Sequence, residues 1–265
     1  MKIEVLVAAL EKNPEELAEK MNIRTDCLIV NQCDRNGFDE FSRNGHTVRV
    51  LSMTDRGVGI SRNAAIDNSK GDILLFSDQD IVYNDDYESV IEEEFNLNPD
   101  ADMLVFNIGI DESRKTFENT DRNRVHFFNS GRYGAVSFAI KKDTLIKSGI
   151  KFSLLFGGGA KYSAGEDSLF IFELLKKGVK IYKAIGYLGK EDSSESTWFK
   201  GYNEKYFFDR GVLYAFLYGI MAKPFAVRFL KAHSNTLLSE MSFNEAYRIM
   251  KSGIKQGRIE KERVS

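Results

Sequence analysis

Apolar runs rich in β-branched residues alternate with segments of helical periodicity through the first two thirds of the chain. Ile3 to Ala9, Cys27 to Asn31, Thr47 to Leu51, Ile73 to Phe76 and Met103 to Ile108 read as strands, with further strands at Ser137 to Lys141 and Val179 to Tyr182. Alternation of this kind predicts an α/β fold, a mostly parallel central sheet with crossover helices on its faces. The first helix is signalled by Asn13 as N-cap, Pro14 at the first helical position and Glu15 and Glu16 in the first turn. Further helices are expected over Ser61 to Asn68, Asp86 to Phe95, shortly after Asp143, and Leu169 to Leu175. The stretch from Asp111 to Arg124 is polar and aperiodic and predicts a long loop. Gly157-Gly158-Gly159 reads as a flexible segment able to move as a lid.

Past Trp198 the strand signals stop. Tyr206 to Leu230 is helical and aromatic, with Phe207, Phe208, Phe216, Phe225 and Phe229 among scattered Lys and Arg. The charge changes too: from Trp198 onward twelve Lys and Arg stand against six Asp and Glu, in a chain whose formal net charge is -2. The expected organisation is therefore a sheet domain over residues 1–195 and a basic, aromatic helical extension over 196–265. Core or homodimer packing is the ordinary role of such an extension. Its basic and aromatic mix also suits the anionic cytoplasmic face of a membrane.

At 265 residues, 43% of them hydrophobic, the chain can bury a full core. The near-neutral charge argues against a nucleic-acid partner held by general phosphate neutralisation. Cys27 and Cys33 match neither a disulfide framework nor a metal site, which points to a reducing cytoplasm. Glu4 interrupts the first apolar stretch, so no signal peptide is expected, and no apolar run reaches the length of a membrane span.

The chemistry sits in carboxylates. Asp78-Gln79-Asp80 follows the apolar run Ile73 to Phe76, placing two hard oxygen ligands where a buried strand emerges. Mg²⁺ or Mn²⁺ held through one or two such groups keeps positions open for phosphate oxygens. A second pair, Glu166-Asp167 after Gly165, opens a helix. Turn formation and helix capping are the ordinary roles of such residues. In an open parallel sheet, however, ligands bind beyond the carboxyl ends of the strands. One rim would carry Ala8, Asp34 and Asp78 with Asp80, while Arg62 and Asn63 are expected at a helix N-terminus suited to an anion. His126 reads as structural, since a lone His is weak support for a metal.

These pieces resemble the family 2 glycosyltransferases of the GT-A fold. The resemblance rests on the strand leading to Asp34, Gly59-Ile60-Ser61-Arg62-Asn63-Ala64-Ala65, Asp78-Gln79-Asp80 after Phe76-Ser77, and Gly165-Glu166-Asp167 before a helix ending in Lys177-Gly178. The run Ser196 to Lys205 is similar to bacterial members that build capsular or other surface polysaccharides. The resemblance implies an inverting transfer from a nucleotide-diphosphate sugar, UDP-linked by family habit, to a glycan or polyprenyl-diphosphate-linked acceptor. It assigns Asp80 mainly to the metal, Asp78 to the ribose or metal shell, Asp167 to the general base, and Glu166 to a supporting role beside it. Ala8, Asp34, Arg62 and Asn63 would contact the donor, and Trp198 would stack on an acceptor sugar or fill core. The chain departs from the family at Ala8-Ala9-Leu10-Glu11, at Asn31-Gln32-Cys33-Asp34, and at Ile81 where a further acidic residue is common. Two other functions compete. A sugar nucleotidyltransferase would need a glycine-rich loop after the first strand, where Ala9 to Asn13 has none, and a non-catalytic subunit would not need Asp78, Asp80 and Asp167 intact.

Overall fold

The computed structural model describes residues 1–111, 117–192, 201–238 and 241–264. In chain order the strands are β1 (Ile3–Ala9), β2 (Asp26–Gln32), β3 (Gly37–Arg43), β4 (His46–Met53), β5 (Ile73–Asp78), β6 (Ile81–Tyr83), β7 (Met103–Gly109), β8 (Phe138–Lys141) and β9 (Ile181–Glu191). The helices are α1 (Leu17–Lys20), α2 (Val58–Asn68), α3 (Tyr87–Leu97), α4 (Lys142–Ser148), α5 (Glu166–Lys176), α6 (Glu204–Tyr218), α7 (Ala222–Ala232), α8 (Ser234–Leu237) and α9 (Phe243–Val264).

The strands form one sheet in the order β3-β4-β2-β1-β5-β8-β7-β9-β6. The parallel block β4-β2-β1-β5 bears out the alternation read from the sequence. Elsewhere β3/β4, β5/β8, β7/β8 and β6/β9 pair antiparallel, so the sheet is mixed rather than mostly parallel. Three strands make these pairs: β8, which lies antiparallel between β5 and β7, and the two edge strands β3 and β6, which carry no strong apolar signal. β3 is a mostly exposed edge strand joined to β4 by Asn44-Gly45, both at positive φ, a hairpin turn. β6 is three residues long and follows β5 through the Gln79-Asp80 turn.

Alternate residues of β1 serve two cores. Ile3, Val5, Val7 and Ala9 meet Leu17 and Ala18 of α1 and Tyr87, Ile91 and Phe95 of α3 on one face. Leu6 joins Ala65 and Ile66 of α2, Leu145 of α4 and Phe170, Ile171 and Leu174 of α5 on the other. Glu4, an acidic residue within that apolar strand, is buried in an ion pair with Arg49 and accepts the Lys70 and Gly71 amides. The Cys27 thiol is pushed up to about 12 by burial, so it stays an inert core residue.

Two helix starts differ from expectation. Asn13 makes no side-chain cap, and Pro14–Glu16 is a 3-10 turn before α1. α2 begins at Val58, with Gly57 as its N-cap, so Arg62 and Asn63 lie a turn inside the helix rather than at its anion-attracting end. Gly157-Gly158-Gly159 is tied down at several points: the Val58 amide donates to the Gly158 carbonyl (2.9 Å) and the Gly157 amide to the Tyr162 carbonyl (2.9 Å).

α6 packs between the sheet domain and α9. Val212, Leu213 and Leu217 share a cluster with Phe156, Tyr162 and Leu169, and Phe207 and Ala215 share another with Met250 and Ile254. Glycines make the α6/α9 crossing possible: a Cβ on Gly211 would lie 2.3 Å from the Met250 carbonyl oxygen, and one on Gly253 2.1 Å from that of Phe208. Contrary to the sequence expectation, Glu204–Ala232 is long and apolar enough by composition to cross a membrane. Part of that apolarity serves the two clusters just described, while Ile220 and Met221 stay exposed. The expected boundary near residue 195 lies outside the described residues.

Candidate active site

The carboxyl ends of the parallel strands converge as their register dictates. Ala8 is paired level with Asp78, and Ala9 with Asn31. Side chains then lace the loops into a rim. The Leu10 amide donates to Gln79 Oε1 (2.6 Å), and the Glu11 amide to Asn31 Oδ1 (2.8 Å), whose Nδ2 returns a bond to the Glu11 carbonyl (2.9 Å). Gln32 Oε1 accepts the Gly57 amide (2.6 Å), fixing the entry to α2. Above this rim opens a cleft of about 920 Å³.

Arg62 is the centre of the arrangement. It is 4% exposed and binds three carboxylates: Nη1 donates to Asp167 Oδ1 (2.7 Å) and Glu166 Oε1 (3.2 Å), and Nη2 to both Asp78 oxygens (3.0 and 3.3 Å). Its guanidinium also lies 5.3 Å over the Phe152 ring. Burial works against its charge, but Asp78, Asp167 and Glu166 outweigh that and hold it protonated more firmly than an ordinary arginine.

The same cluster favours the neutral form of Asp167. Asp167 is pushed up to about 7, first by removal from water and then by Glu166, against the pull of Arg62. A carboxyl titrating near neutrality can exchange a proton with a hydroxyl under working conditions. Its chain position follows from Gly165, whose φ of +120° makes the sharp entry to α5 and whose missing side chain leaves room for Leu213.

Of the residues singled out by sequence, Ala8, Arg62, Asp78, Asp80, Glu166 and Asp167 line this one cleft. Asp34 does not: it stands exposed beyond β2 and pairs with Arg56 (2.7 Å), which does line it. Asn63 faces elsewhere and clamps the Phe152 backbone, accepting its amide (2.8 Å) and donating to its carbonyl (2.9 Å). Trp198 lies outside the described residues. Sequence reading missed Glu191 and Asp192 at the end of β9, brought to the cleft by the bond from the Asp192 amide to the Asp80 carbonyl (2.7 Å). It also missed Arg132 and Arg210, whose place there depends on tertiary packing.

For a divalent cation, the described residues hold no group of three or more His, Cys, Asp or Glu side chains suited to coordination. Asp78 and Asp80 at one turn of the cleft instead fit an ion completed by phosphate oxygens and water, the usual habit of Mg²⁺.

The model of a known family, glycosyl transferase family 2, matches residues 3–156, more than half of the chain and including Arg62, Asp78 and Asp80. The chain belongs to glycosyl transferase family 2. No curated protein matches this glycosyltransferase in sequence. Its fold is shared by residues 1–349 of TarS from S. aureus, at 14% identity and a TM-score of 0.63 over 92% of this chain and 76% of that one. A second TarS 1–349 structure, in complex with UDP-GlcNAc, aligns at 15% identity and 0.62 over 89% and 73%. The mannosyltransferase PcManGT from Pyrobaculum calidifontis, in complex with GDP-Man and Mn²⁺, aligns at 13% identity and 0.53 over 97% and 75%. The glycosyltransferase thus has the GT-A α/β architecture with a helical C-terminal region.

Proposed function

We propose that this family 2 glycosyltransferase inverts the anomeric centre of a nucleotide-diphosphate sugar as it passes the sugar to an acceptor hydroxyl. The observation that carries the reading is the shared guanidinium. Arg62 holds Asp167 through one nitrogen and Asp78 through the other, so the base and the donor rim are fixed relative to each other. In the reaction the acceptor oxygen attacks the anomeric carbon and its proton passes to Asp167. The bond from that carbon to the diphosphate breaks, and its electron pair leaves on the phosphate oxygen. Removal from water, and after it the like charge of Glu166, keeps Asp167 basic, while Arg62 keeps the pair oriented. Attack from the face opposite the nucleotide needs no covalent enzyme intermediate.

Asp80, with Asp78, would hold Mg²⁺ or Mn²⁺, which offsets negative charge on the departing diphosphate. Ala8 would let the donor approach the backbone closely. Asp34 would act at the nucleotide end together with Arg56, and Asn63 would act through the Phe152 segment. A UDP-linked donor is favoured by the UDP-GlcNAc in a structure of the same fold. A glycan or lipid-linked acceptor of surface polysaccharide synthesis, a cytoplasmic location at the inner membrane face, homodimer contact and the 1–195/196–265 division belong to the same proposal. Basic Lys223, Arg228 and Lys231 on α7, beside exposed Ile220 and Met221, support the membrane contact.

The test is release of nucleoside diphosphate from a panel of nucleotide sugars with Mn²⁺, Mg²⁺ or chelator, using wild type and Asp167→Asn. Metal-dependent turnover by wild type and its loss in the variant are expected. Equal turnover by both proteins would remove Asp167 from the base role.

A further inference from the structure

The cleft holds two kinds of arginine. Arg56 and Arg62 are neutralised by carboxylates, Asp34 for one and Asp78, Glu166 and Asp167 for the other. Arg132 and Arg210 line the same cleft and make no ion pair among the described residues. Arg210 is half-buried and held by aromatic groups: its guanidinium sits 5.3 Å over each of the Tyr206 and Phe229 rings, and Nη2 donates to the Tyr206 hydroxyl (3.2 Å). Arg132 stacks at 4.6 Å over Phe117. Ring faces stabilise and aim a guanidinium while leaving most of its N–H donors unused.

Both are carried by segments that pack beside the base. On α6, Asp209 accepts from the Ser163 amide and hydroxyl (2.8 Å each), and Leu213 packs into the space over Gly165. Arg210 lies between these two anchors along α6, and it lines the cleft together with Ser163, Ala164 and Gly165, the segment that leads directly into Glu166 and Asp167. From the other side comes the 3-10 turn Ser130–Arg132. Just beyond it, a Cβ on Gly134 would lie 3.7 Å from Asp167 Oδ2.

The geometry points to an acceptor-side anion subsite: Arg210, assisted by Arg132, recognises a negatively charged group, phosphoryl or carboxylate, carried by the acceptor close to its reacting hydroxyl. It rests on the glycosyltransferase reading of the cleft and narrows the acceptor to an anionic class. Guanidinium forks suit both anions through paired charge-assisted hydrogen bonds, and they offset repulsion between such an acceptor and the acids around Asp167.

The experiment is calorimetry on the full chain, comparing wild type, Arg210→Gln and Arg210→Lys. UDP is titrated first, then inorganic phosphate and glucuronate into both UDP-loaded and nucleotide-free protein. Expected are equal UDP affinity in all three proteins, anion binding in wild type, its weakening by about tenfold or more in Arg210→Gln, and partial retention in Arg210→Lys. Binding of phosphate alone assigns a phosphoryl-bearing acceptor, and of glucuronate alone a carboxylate-bearing one. Absence of anion binding in wild type, anion binding indifferent to Arg210→Gln, or a tenfold loss of UDP affinity in that variant would overturn the proposal. The last outcome would move Arg210 to the donor. If no protein binds UDP, the UDP-donor reading fails by itself, and the nucleotide-free titration still decides whether Arg210 holds an anion.

Discussion

Replacing Arg62 by methionine removes the cation that three carboxylates share while keeping a side chain of similar length over Phe152. Taking one partner from a buried ion pair costs about 3–5 kcal/mol, because charge is left uncompensated. In a chain of this size each kcal/mol lowers the melting temperature by about 2–4 °C, so the expected fall is roughly 6–20 °C. The loss depends on pH, and its sign follows from Asp167. With Arg62 present, that carboxyl titrates near 7, above its ordinary value of 3.8. Between those values the folded state holds a proton that the unfolded state has released, so stability falls as pH rises, by up to about 1.4 kcal/mol per pH unit. Without Arg62 the carboxyl rises further and the declining range extends to higher pH. Thermal unfolding of both proteins at pH 5 and pH 8 measures this. The variant should lose distinctly more at pH 8 than at pH 5; a loss under about 2 °C at pH 8, or equal losses at both, would refute the shared-cation account.

Asp167→Asn should lower turnover by about 10²–10⁴-fold while UDP affinity is kept, and in wild type kcat/KM should climb with pH and level off near 7, as read in a pH-rate profile. Asp80→Ala should abolish any gain in UDP affinity on adding Mn²⁺, measured by calorimetry with and without chelator. Gly253→Val should destabilise the protein by about 1–3 kcal/mol or more in urea unfolding, since even a Cβ there meets the Phe208 carbonyl. Arg49→Met should cost about 3–5 kcal/mol by leaving Glu4 without its partner, and should leave UDP affinity unchanged.

The strands that bury both faces were legible because apolar continuity is local information: Ile3–Ala9 matches its predicted bounds, and Ile73–Asp78 and Met103–Gly109 differ only at one end. β3 escaped notice because Gly-Phe-Asp-Glu-Phe-Ser-Arg is an exposed edge with no buried face to mark it, although Asn44-Gly45 was a readable hairpin signal. Of the site, the two acidic motifs could be read as motifs, and both line the cleft. The role of Arg62 could not be read, since its partners lie 16, 104 and 105 residues away and meet it only when β5 and α5 pack about α2. Arg210 was invisible for the same reason. Its sequence neighbours read as a basic aromatic helix, and it takes the packing of Leu213 on Gly165 and the bonds from Ser163 to Asp209 to fix that helix beside the base.

The near-touching backbones of α6 and α9 tie the tail of the chain to its chemistry. Gly211, Gly253 and Gly257 lock a terminal 22-residue helix behind the one that carries Arg210. Lys261 adds a clasp from the far end through its bond to the Phe216 carbonyl (2.9 Å). A polypeptide halted before Phe243 would keep each rim aspartate yet wet the inner side of α6, leaving the arginine without a firm footing.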